Sequence, residues 1–451
     1  MKKYLVSLII AIISIYACVN EVALPVYTDF DTEVVNNDFT APVKVKIINN
    51  TDGADTYKWT FEGGVPETST SKNPGIITYA NEGEYIITLE ASNRDGSIDI
   101  KTKTIEVKPT IIIDFDVEIL QNNFSPVEVK ITNKTKGALA YDWFFQGGNV
   151  ETSAEQHPQN IVFTSTGEHT IRLKVSNGQE NYTLEKKIEV KPRLEAKFDY
   201  SVAFEDDDYQ IPVKVTLTNK SVSATAFQWS FEGANIVSSS EENLEIDFIT
   251  PGVHIIKLKV TNGKEEKEIS KTIEVYKNTN LRSFQNIKLG INTAHKENKI
   301  GAFFSTKTRK VYKDNEITDD VGRLIDLVFF GLNESFSYNK FVSPIQASTV
   351  AFSTIPNAQV TKFINSLEKC NCSIQLSENE FDTMTNDSLF SNMMFTETNE
   401  GLKEFNDIII PRIIPFETSD KRKGAIKIKQ FVKQATSSYI LVDIKIQKEA
   451  N

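Results

Sequence analysis

Few residues of this chain are of the types and spacings that catalysis needs. The sequence contains four histidines. Two of them, His169 and His254, lie in the second and third copies of a sequence repeat described below, at the position where the first copy has Tyr85. We therefore expect both to pack inside strands, and only His295 lies in the C-terminal part. The chain shows no His, Cys and carboxylate spacing typical of zinc sites, no Gly-x-Ser-x-Gly motif and no phosphate-binding loop. We expect a protein that is not an enzyme and that uses neither a metal nor a cofactor.

Acidic residues keep two alternatives open. A pair of carboxylates can hydrolyse glycosidic bonds, but Asp319, Asp320 and Asp326 are better explained as a solvated loop and a charge at a strand edge. A hydrolase in which the repeats serve as spacers therefore stays an alternative. The run Glu205-Asp206-Asp207-Asp208 carries oxygen ligands that calcium uses. Because it lacks the glycine and spacing of a dedicated loop, we expect a solvated turn.

Two further groups in the C-terminal part could form a cross-link or bind a ligand. Cys370 and Cys372 could form a disulfide in an oxidising compartment, although a ring closed over three residues is strained. The aromatic residues Phe336, Tyr338 and Phe341 could stack on the faces of sugar rings. Aromatic residues at this density are also typical of a core, so both interpretations stay open.

The first residues indicate export and attachment to a membrane. Lys2 and Lys3 precede an apolar run over residues 4–15, which is typical of a secretion signal and too short to span a membrane. The following Ile15-Tyr16-Ala17-Cys18 resembles the bacterial lipobox. The resemblance implies a signal peptide over residues 1–17, a lipid on Cys18 and a lipidated tether over residues 18–23. The alternative is an ordinary signal that ends at a buried cysteine. We expect a lipid-anchored protein of the outer membrane, displayed at the cell surface.

A phrase that occurs three times organises the front of the chain. Each copy contains one of the three tryptophans, and Trp59, Trp143 and Trp229 are 84 and 86 residues apart, so a tandem repeat sets the spacing. Apolar and polar residues alternate around each phrase, which is typical of half-buried strands in a two-sheet sandwich. We therefore predict a mainly β protein and assign the tryptophans a structural role.

The three copies resemble the PKD domain, an immunoglobulin-like sandwich of secreted and surface proteins. In the first copy the family pattern matches Trp59, Asn73, Pro74, Tyr79, Gly83, Tyr85, Leu89 and Asn93. The resemblance implies PKD-like domains over residues 24–108, 109–191 and 192–277. All three copies lack the acidic turn that often ends the Trp phrase in this family, so no ion or partner contact is transferred to it.

The linkers and the charge indicate how the repeats are used. Pro109 and Pro192 stand at the junctions and restrict the backbone there, which predicts short, semi-rigid joints and a stalk. The net charge is -11, and the acidic excess falls in the repeats. This balance disfavours nucleic acid as a partner, because nucleic acid requires a basic surface.

Residues 278–451 differ from the repeats and predict a C-terminal α+β domain. We expect a hairpin around residues 300–312, a buried strand over 324–331 and strands over 424–432 and 439–445. Two helices are predicted, one after Pro356-Asn357 and one that begins at a capping box, Ser377 to Glu380.

The C-terminal part also carries a loose resemblance. Its segments 301–306, 325–328, 424–428 and 442–448 are similar to terminal domains of uncharacterised Bacteroidetes surface lipoproteins, some of which belong to glycan-uptake systems. Our leading hypothesis is a PKD-repeat lipoprotein whose C-terminal domain binds an extracellular glycan. The alternative is a protein-binding adhesion or envelope-assembly protein that uses the repeats.

Overall fold

The computed structural model describes residues 23–450. The chain is mainly β, with 47% of its residues in strands and 9% in helices, as the sequence predicts. The predicted signal peptide and Cys18 lie outside the described residues. Among the helices of residues 23–450 we find none with the length and apolarity that crossing a membrane requires.

The described residues form two compact units. The first comprises residues 23–197, 220–227 and 259–268, and the second comprises residues 198–219, 228–258 and 269–450. The first unit thus includes the first two sequence copies, and the second unit includes the C-terminal part.

The first sequence copy folds into two antiparallel sheets. Its strands are β1 (Phe30–Val34), β2 (Val43–Asn49), β3 (Thr56–Phe61), β4 (Gly64–Val65), β5 (Thr68–Ser69), β6 (Ile76–Tyr79), β7 (Gly83–Ser92) and β8 (Ile98–Val107). One sheet has the strand order β1-β2-β6-β4 and the other has the order β5-β3-β7-β8. Val43, Val45 and Ile47 of β2 are buried and their neighbours are exposed, because side chains along a strand point to opposite faces in turn.

The second copy repeats this arrangement. Its strands are β9 (Phe115–Ile119), β10 (Val127–Asn133), β11 (Ala140–Phe145), β12 (Thr152–Ser153), β13 (Ile161–Phe163), β14 (Gly167–Ser176) and β15 (Asn181–Val190). The two sheets have the orders β13-β10-β9 and β12-β11-β14-β15. The equivalent strands pair in the same order as in the first copy, which is expected from the repeated pattern of apolar residues.

The third copy has the same strand orders. Its strands are β16 (Phe198–Val202), β17 (Val213–Asn219), β18 (Ala226–Phe231), β19 (Ser238–Ser239), β20 (Leu244–Phe248), β21 (Gly252–Thr261) and β22 (Glu266–Val275). They form the sheets β16-β17-β20 and β19-β18-β21-β22.

The repeated tryptophan has the same surroundings in every copy. Trp59, Trp143 and Trp229 are fully buried on β3, β11 and β18. The indole Nε1 donates a hydrogen bond of 2.8 to 3.0 Å to a backbone carbonyl, which belongs to Ser71, Glu155 or Glu241. The ring also meets a phenylalanine of the first strand edge to face, at a centroid distance of 5.1 Å in each copy. A buried indole with its N–H satisfied stabilises a core without leaving a polar group unpaired.

A glycine follows each Trp phrase because the backbone turns there. Gly63, Gly147 and Gly233 have φ of +66°, +72° and +70°, a region that favours glycine. A Cβ atom would also lie 2.4 Å from the Tyr85 ring in the first copy and 2.1 Å from the His254 ring in the third. The ring of the next long strand therefore fills the space that a side chain would take.

The chain just after the last strand of each repeat is hydrogen-bonded to the body of the same repeat. A backbone N–H next to the start of the second strand donates a 3.0 Å hydrogen bond to a carbonyl just after the last strand. The pairs are Ala41 with Lys108, Ser125 with Lys191, and Ile211 with Tyr276. The chain thus leaves all three repeats from the same, fixed place.

Within the first unit, one turn of a copy reaches back to the copy before it. Gln179, in the turn after β14, donates a 2.7 Å hydrogen bond to the carbonyl of Asn37. In the turn after β21, Lys264 donates a 2.6 Å hydrogen bond to the carbonyl of Pro126. Consecutive copies are therefore joined by side-chain hydrogen bonds as well as by the linker.

The C-terminal part of the second unit forms two further antiparallel sheets. Its strands are β23 (Leu281–Gly290), β24 (Phe303–Ser305), β25 (Lys310–Tyr312), β26 (Leu327–Gly331), β27 (Asn339–Val342), β28 (Lys362–Phe363), β29 (Arg412–Glu417), β30 (Lys423–Val432) and β31 (Tyr439–Gln447). The sheets have the orders β23-β31-β30-β29-β28 and β25-β24-β26-β27. The predicted hairpin, buried strand and two late strands correspond to β24 with β25, β26, β30 and β31.

Helices are short in this part, which is mostly β. They are α1 (Asn292–Lys296), α2 (Asp319–Gly322), α3 (Glu378–Thr383) and α4 (Ser388–Ser391). Short 3₁₀ turns occur at Val35–Asn37, Phe204–Asp206, Asp314–Glu316 and Pro344–Val350. The capping-box prediction is confirmed, because Ser377 Oγ accepts from Glu380 N at 3.3 Å and Glu380 Oε2 accepts from Ser377 N at 2.8 Å.

The predicted helix after Pro356-Asn357 is wrong. Strand β28 forms there instead, and Phe363 pairs with Phe416 of β29. The neighbouring residues Phe363 and Ile364 are both buried, but they belong to two different hydrophobic clusters. Apolar side chains that serve cores on opposite sides of an extended segment produced a spacing that resembles one helical face.

Candidate ligand-binding cleft

A cleft of about 550 Å³ lies within the second unit. We call it the charged cleft, and its lining residues are Glu205, Asp206, Arg282, Thr306, Lys307, Arg309, Asp420, Arg422, Ile446, Gln447, Lys448, Glu449 and Ala450. Most of these side chains are charged or carry hydrogen-bonding groups.

The pairing of β24 with β26 positions one wall of the charged cleft. Thr306 follows β24 and Asp326 precedes β26, so sheet pairing makes them neighbours. Asp326 Oδ2 accepts hydrogen bonds from Thr306 N at 2.7 Å and from Thr306 Oγ1 at 2.6 Å. Asp326 is buried, and burial raises the pKa of its carboxyl although the bonds from Thr306 oppose this. Asp326 therefore stands at the end of a strand, as expected, but it is buried and bound by Thr306.

Arg422, just before β30, is the buried cation of this wall. Its Nε donates to both carboxylate oxygens of Asp420 at 3.1 Å, and its two terminal nitrogens lie 3.2 Å from Thr306 Oγ1. Lys307 Nζ lies 3.4 Å from Asp420 Oδ2. Burial raises the pKa of Asp420, but hydrogen bonds from Thr418 and Arg422 outweigh it, and the pKa stays below its usual value.

The chemistry of the charged cleft is that of hydrogen bonding and charge. Lys307 and Arg422 supply donors, and Asp420 supplies acceptors, while no aromatic residue is among the lining side chains. Such a surface fits a hydroxylated or charged ligand better than an apolar one. Within residues 23–450, no three His, Cys, Asp or Glu side chains converge as a metal site would require.

The acidic run of the third copy lies at the edge of this cleft. Arg282 Nη1 lies 2.8 Å from Asp207 Oδ1, and Arg282 Nη2 lies 3.3 Å from Asp208 Oδ2. The run forms the predicted turn, with Glu205 and Asp207 exposed, but basic side chains of the C-terminal part pair with Asp207 and Asp208.

The structure does not bring the three candidate aromatic residues to one surface. Phe336 and Phe341 are buried in the same hydrophobic cluster, where Phe336 packs on Phe431 at 5.0 Å. Tyr338 is partly exposed, and its hydroxyl donates to Glu404 Oε1 at 2.5 Å. The hydrogen bond to Glu404 raises the pKa of Tyr338. Of the three rings only Tyr338 is open to solvent, so an aromatic platform for a sugar is not formed there.

The remaining candidate residues lie away from the charged cleft lining. Cys370 and Cys372 form a disulfide, with their Cα atoms 5.1 Å apart. Asp319 and Asp320 are exposed in α2. His295 is fully buried in α1, where its Nδ1 accepts a 3.0 Å hydrogen bond from Ala302 N.

Sequence reasoning missed Thr306, Asp420 and Arg422. Thr306 lies more than a hundred residues before the other two in the sequence, and neither segment contains a recognisable motif. The basic run Lys421-Arg422-Lys423 was the one available signal, but a basic run is more often a solvated surface than a binding wall.

Comparison with known proteins supports the assignment of the repeats. The family model of the PKD domain matches residues 33–106 and 122–190, which lie in the first two copies. Similar solved structures include the chicken CNTN1 FN1-FN3 domains, with 12% identity, 56% of this chain and 98% of that chain covered, and a TM-score of 0.23.

Two further similar structures come from adhesion proteins. A tetra-tandem repeat in the extending region of a large adhesion protein has 12% identity, covers 56% of this chain and 75% of that chain, and has a TM-score of 0.25. A 1.5-MDa bacterial ice-binding adhesin has 10% identity, covers 57% of this chain and 98% of that chain, and has a TM-score of 0.28. At these TM-scores the likenesses carry no argument about function. The family match covers the first two copies, and the repeated sheets show that the chain contains tandem immunoglobulin-like repeats.

Proposed function

We propose that this chain is a lipid-anchored surface protein in which PKD-type repeats display a C-terminal domain that binds an extracellular glycan. The observation that carries the proposal is a hydrogen bond that occurs in every repeat. It ties the residue after the last strand to the body of the same repeat, and these residues are Lys108, Lys191 and Tyr276. A chain that leaves each module from a fixed place suits a spacer better than a loose linker does.

The anchor rests on the sequence at Cys18. The apolar run before it and the lipobox-like Ile15-Tyr16-Ala17-Cys18 support attachment through lipid to the outer membrane, with display at the cell surface. Metabolic labelling of the full-length chain with a fatty-acid analogue tests it directly. The label should be lost on Cys18→Ser and retained on Cys372→Ser, which serves as the control.

The ligand site is assigned to the charged cleft, because two of the three aromatic candidates are buried. A wall of hydroxyl, ammonium, guanidinium and carboxylate groups supports a polyhydroxylated or charged saccharide as ligand. We propose binding without turnover, since Asp326 is held by Thr306 and faces Arg422, at 3.7 Å from its Nη2. These contacts leave no free carboxylate pair at this wall.

A glycan array with the mature chain tests the ligand. Lys307 and Lys310 are similarly exposed, but only Lys307 lines the charged cleft. Lys307→Gln should weaken binding of any saccharide about tenfold, the typical effect of losing one charged hydrogen bond. Lys310→Gln should leave binding unchanged. Absence of binding to every saccharide would refute the glycan assignment.

The alternative is a protein-binding adhesion or assembly protein that uses the repeats. Strand β8 stands at the edge of its sheet, and Ile98 and Ile100 are 64% and 57% exposed at its start. The corresponding residues of β22 are Glu266 and Glu268. An edge strand with exposed apolar residues can pair with another chain, whereas charged residues prevent this. If a protein partner binds here, Ile98→Glu with Ile100→Glu should abolish its capture, and Lys307→Gln should not.

A further inference from the structure

The loop between the first two strands of each repeat differs in length and charge in the third copy. It spans residues 35–42, 120–126 and 203–212, which is eight, seven and ten residues. The third loop is the longest and contains the acidic run Glu205-Asp206-Asp207-Asp208. The other two loops carry one carboxylate, Asp38, between them.

Each of these loops is contacted by a later part of the chain, but by different chemistry. In the first and second copies, the carbonyls of Asn37 and Pro126 accept hydrogen bonds from Gln179 and Lys264. These contacts are made to backbone oxygens, which every loop sequence offers.

In the third copy, Arg282 and Arg309 also bond to the backbone carbonyls of Glu205 and Phe204, but the loop adds contacts to side-chain carboxylates. Asp207 is bound by two guanidinium groups, from Arg282 at 2.8 Å and from Arg309. Asp208 is bound by Arg282 at 3.3 Å and by Lys448 Nζ at 3.2 Å. The three cations are largely buried, with side-chain exposures of 14%, 16% and 15%.

Neutral contacts surround this group of charges. The Arg309 guanidinium lies 4.0 Å from the centre of the Phe204 ring, within the range of a cation–π interaction. Thr279 donates to Gln210 Oε1 through its backbone N–H at 2.7 Å and through its hydroxyl at 2.8 Å. Partly desolvated charge pairs of this kind contribute more to the choice of partner than exposed pairs do.

We propose that the loop over residues 203–212 is an adapter that accepts the basic surface of Arg282, Arg309 and Lys448, so that the third repeat is specialised to hold the C-terminal domain. The first two loops, which lack an acidic run, do not offer this surface a matching partner. The adapter holds the C-terminal domain against the third repeat by charge, and it does so whatever ligand that domain binds.

Hydrogen exchange of the full chain tests the adapter at the amides of residues 276–282. Asp207→Lys with Asp208→Lys places like charges opposite Arg282 and Lys448, and exchange there should become about tenfold faster, which corresponds to about 1.4 kcal/mol. Glu241→Lys with Glu242→Lys makes the same change of net charge at exposed positions of the third copy and should leave exchange unchanged.

Two further arms separate a lost pairing from a damaged fold. Adding Arg282→Asp, Arg309→Asp and Lys448→Asp to the lysine variant should return exchange toward that of the natural chain, because opposite charges again face each other. Raising the salt concentration from about 0.02 M to about 0.5 M should speed exchange in the natural chain and not in the lysine variant. Equal exchange in the lysine variant and its control would overturn the proposal, as would failure of the swapped charges to restore protection.

Discussion

Acidification should destabilise the C-terminal domain through His295. The side chain is fully buried, its ring lies 4.1 Å from that of Phe303, and its Nδ1 accepts a hydrogen bond from Ala302 N. Burial lowers the pKa of His295 from 6.5 to about 4, although the nearby Asp314 opposes the shift. The folded state therefore holds the neutral ring.

The sign and size of the effect follow from linkage. Between pH 6.5 and about 4 the unfolded chain binds a proton at His295 that the folded chain does not. The contribution of the neutral His295 to the free energy of unfolding is therefore fully present above pH 6.5, and it is lost as the pH falls toward 4. Each unit of pKa difference is worth 1.36 kcal/mol, so lowering the pH from 7 to about 4.5 should cost about 2.5 kcal/mol from this residue.

The assay is urea unfolding at the two pH values, for the natural chain and for His295→Asn, whose side-chain oxygen can still accept the bond from Ala302. Circular dichroism follows the whole chain. Tryptophan fluorescence reports only the repeats, because the three tryptophans lie at residues 59, 143 and 229. The variant should lose about 2.5 kcal/mol less than the natural chain on acidification, in the transition that fluorescence does not detect. Parallel pH dependence in the two proteins would refute the reasoning.

Two further predictions concern the repeats. Gly233→Ala should destabilise the third copy by about 2 kcal/mol or more, because φ is +70° and the new Cβ would meet the His254 ring. Gly75→Ala, which has open space around its Cβ position, should show only the smaller cost of the backbone conformation. Trp143→Phe should cost about 2 to 3 kcal/mol in thermal unfolding, since it removes both core volume and the hydrogen bond to Glu155 O, while Phe144→Leu on the outer face should cost less than about 1 kcal/mol. Equal losses within either pair would contradict the assigned role of the buried position.

Local pattern was sufficient for much of the fold. The period of two around Trp59, Trp143 and Trp229 predicted strands, because it records which side of a strand is buried. The capping box at Ser377 predicted the start of α3, because both of its hydrogen bonds span only three residues. Segment 357–367 failed on the same type of evidence, since its apolar residues face two cores and not one helical surface.

The sequence by itself determined the repeated sandwiches, the place of their tryptophans and the candidate anchor at Cys18, since each depends on residues that are close together in the chain. Only the tertiary structure decided the rest. The charged cleft unites Thr306 with Arg422, and the acidic loop at Asp207 meets Arg282 and Arg309, across separations of 75 residues or more. The tertiary structure also places Phe336 and Phe341 in the core. Which distant side chains meet depends on how sheets pair and pack, and that information is not contained in any short stretch of sequence.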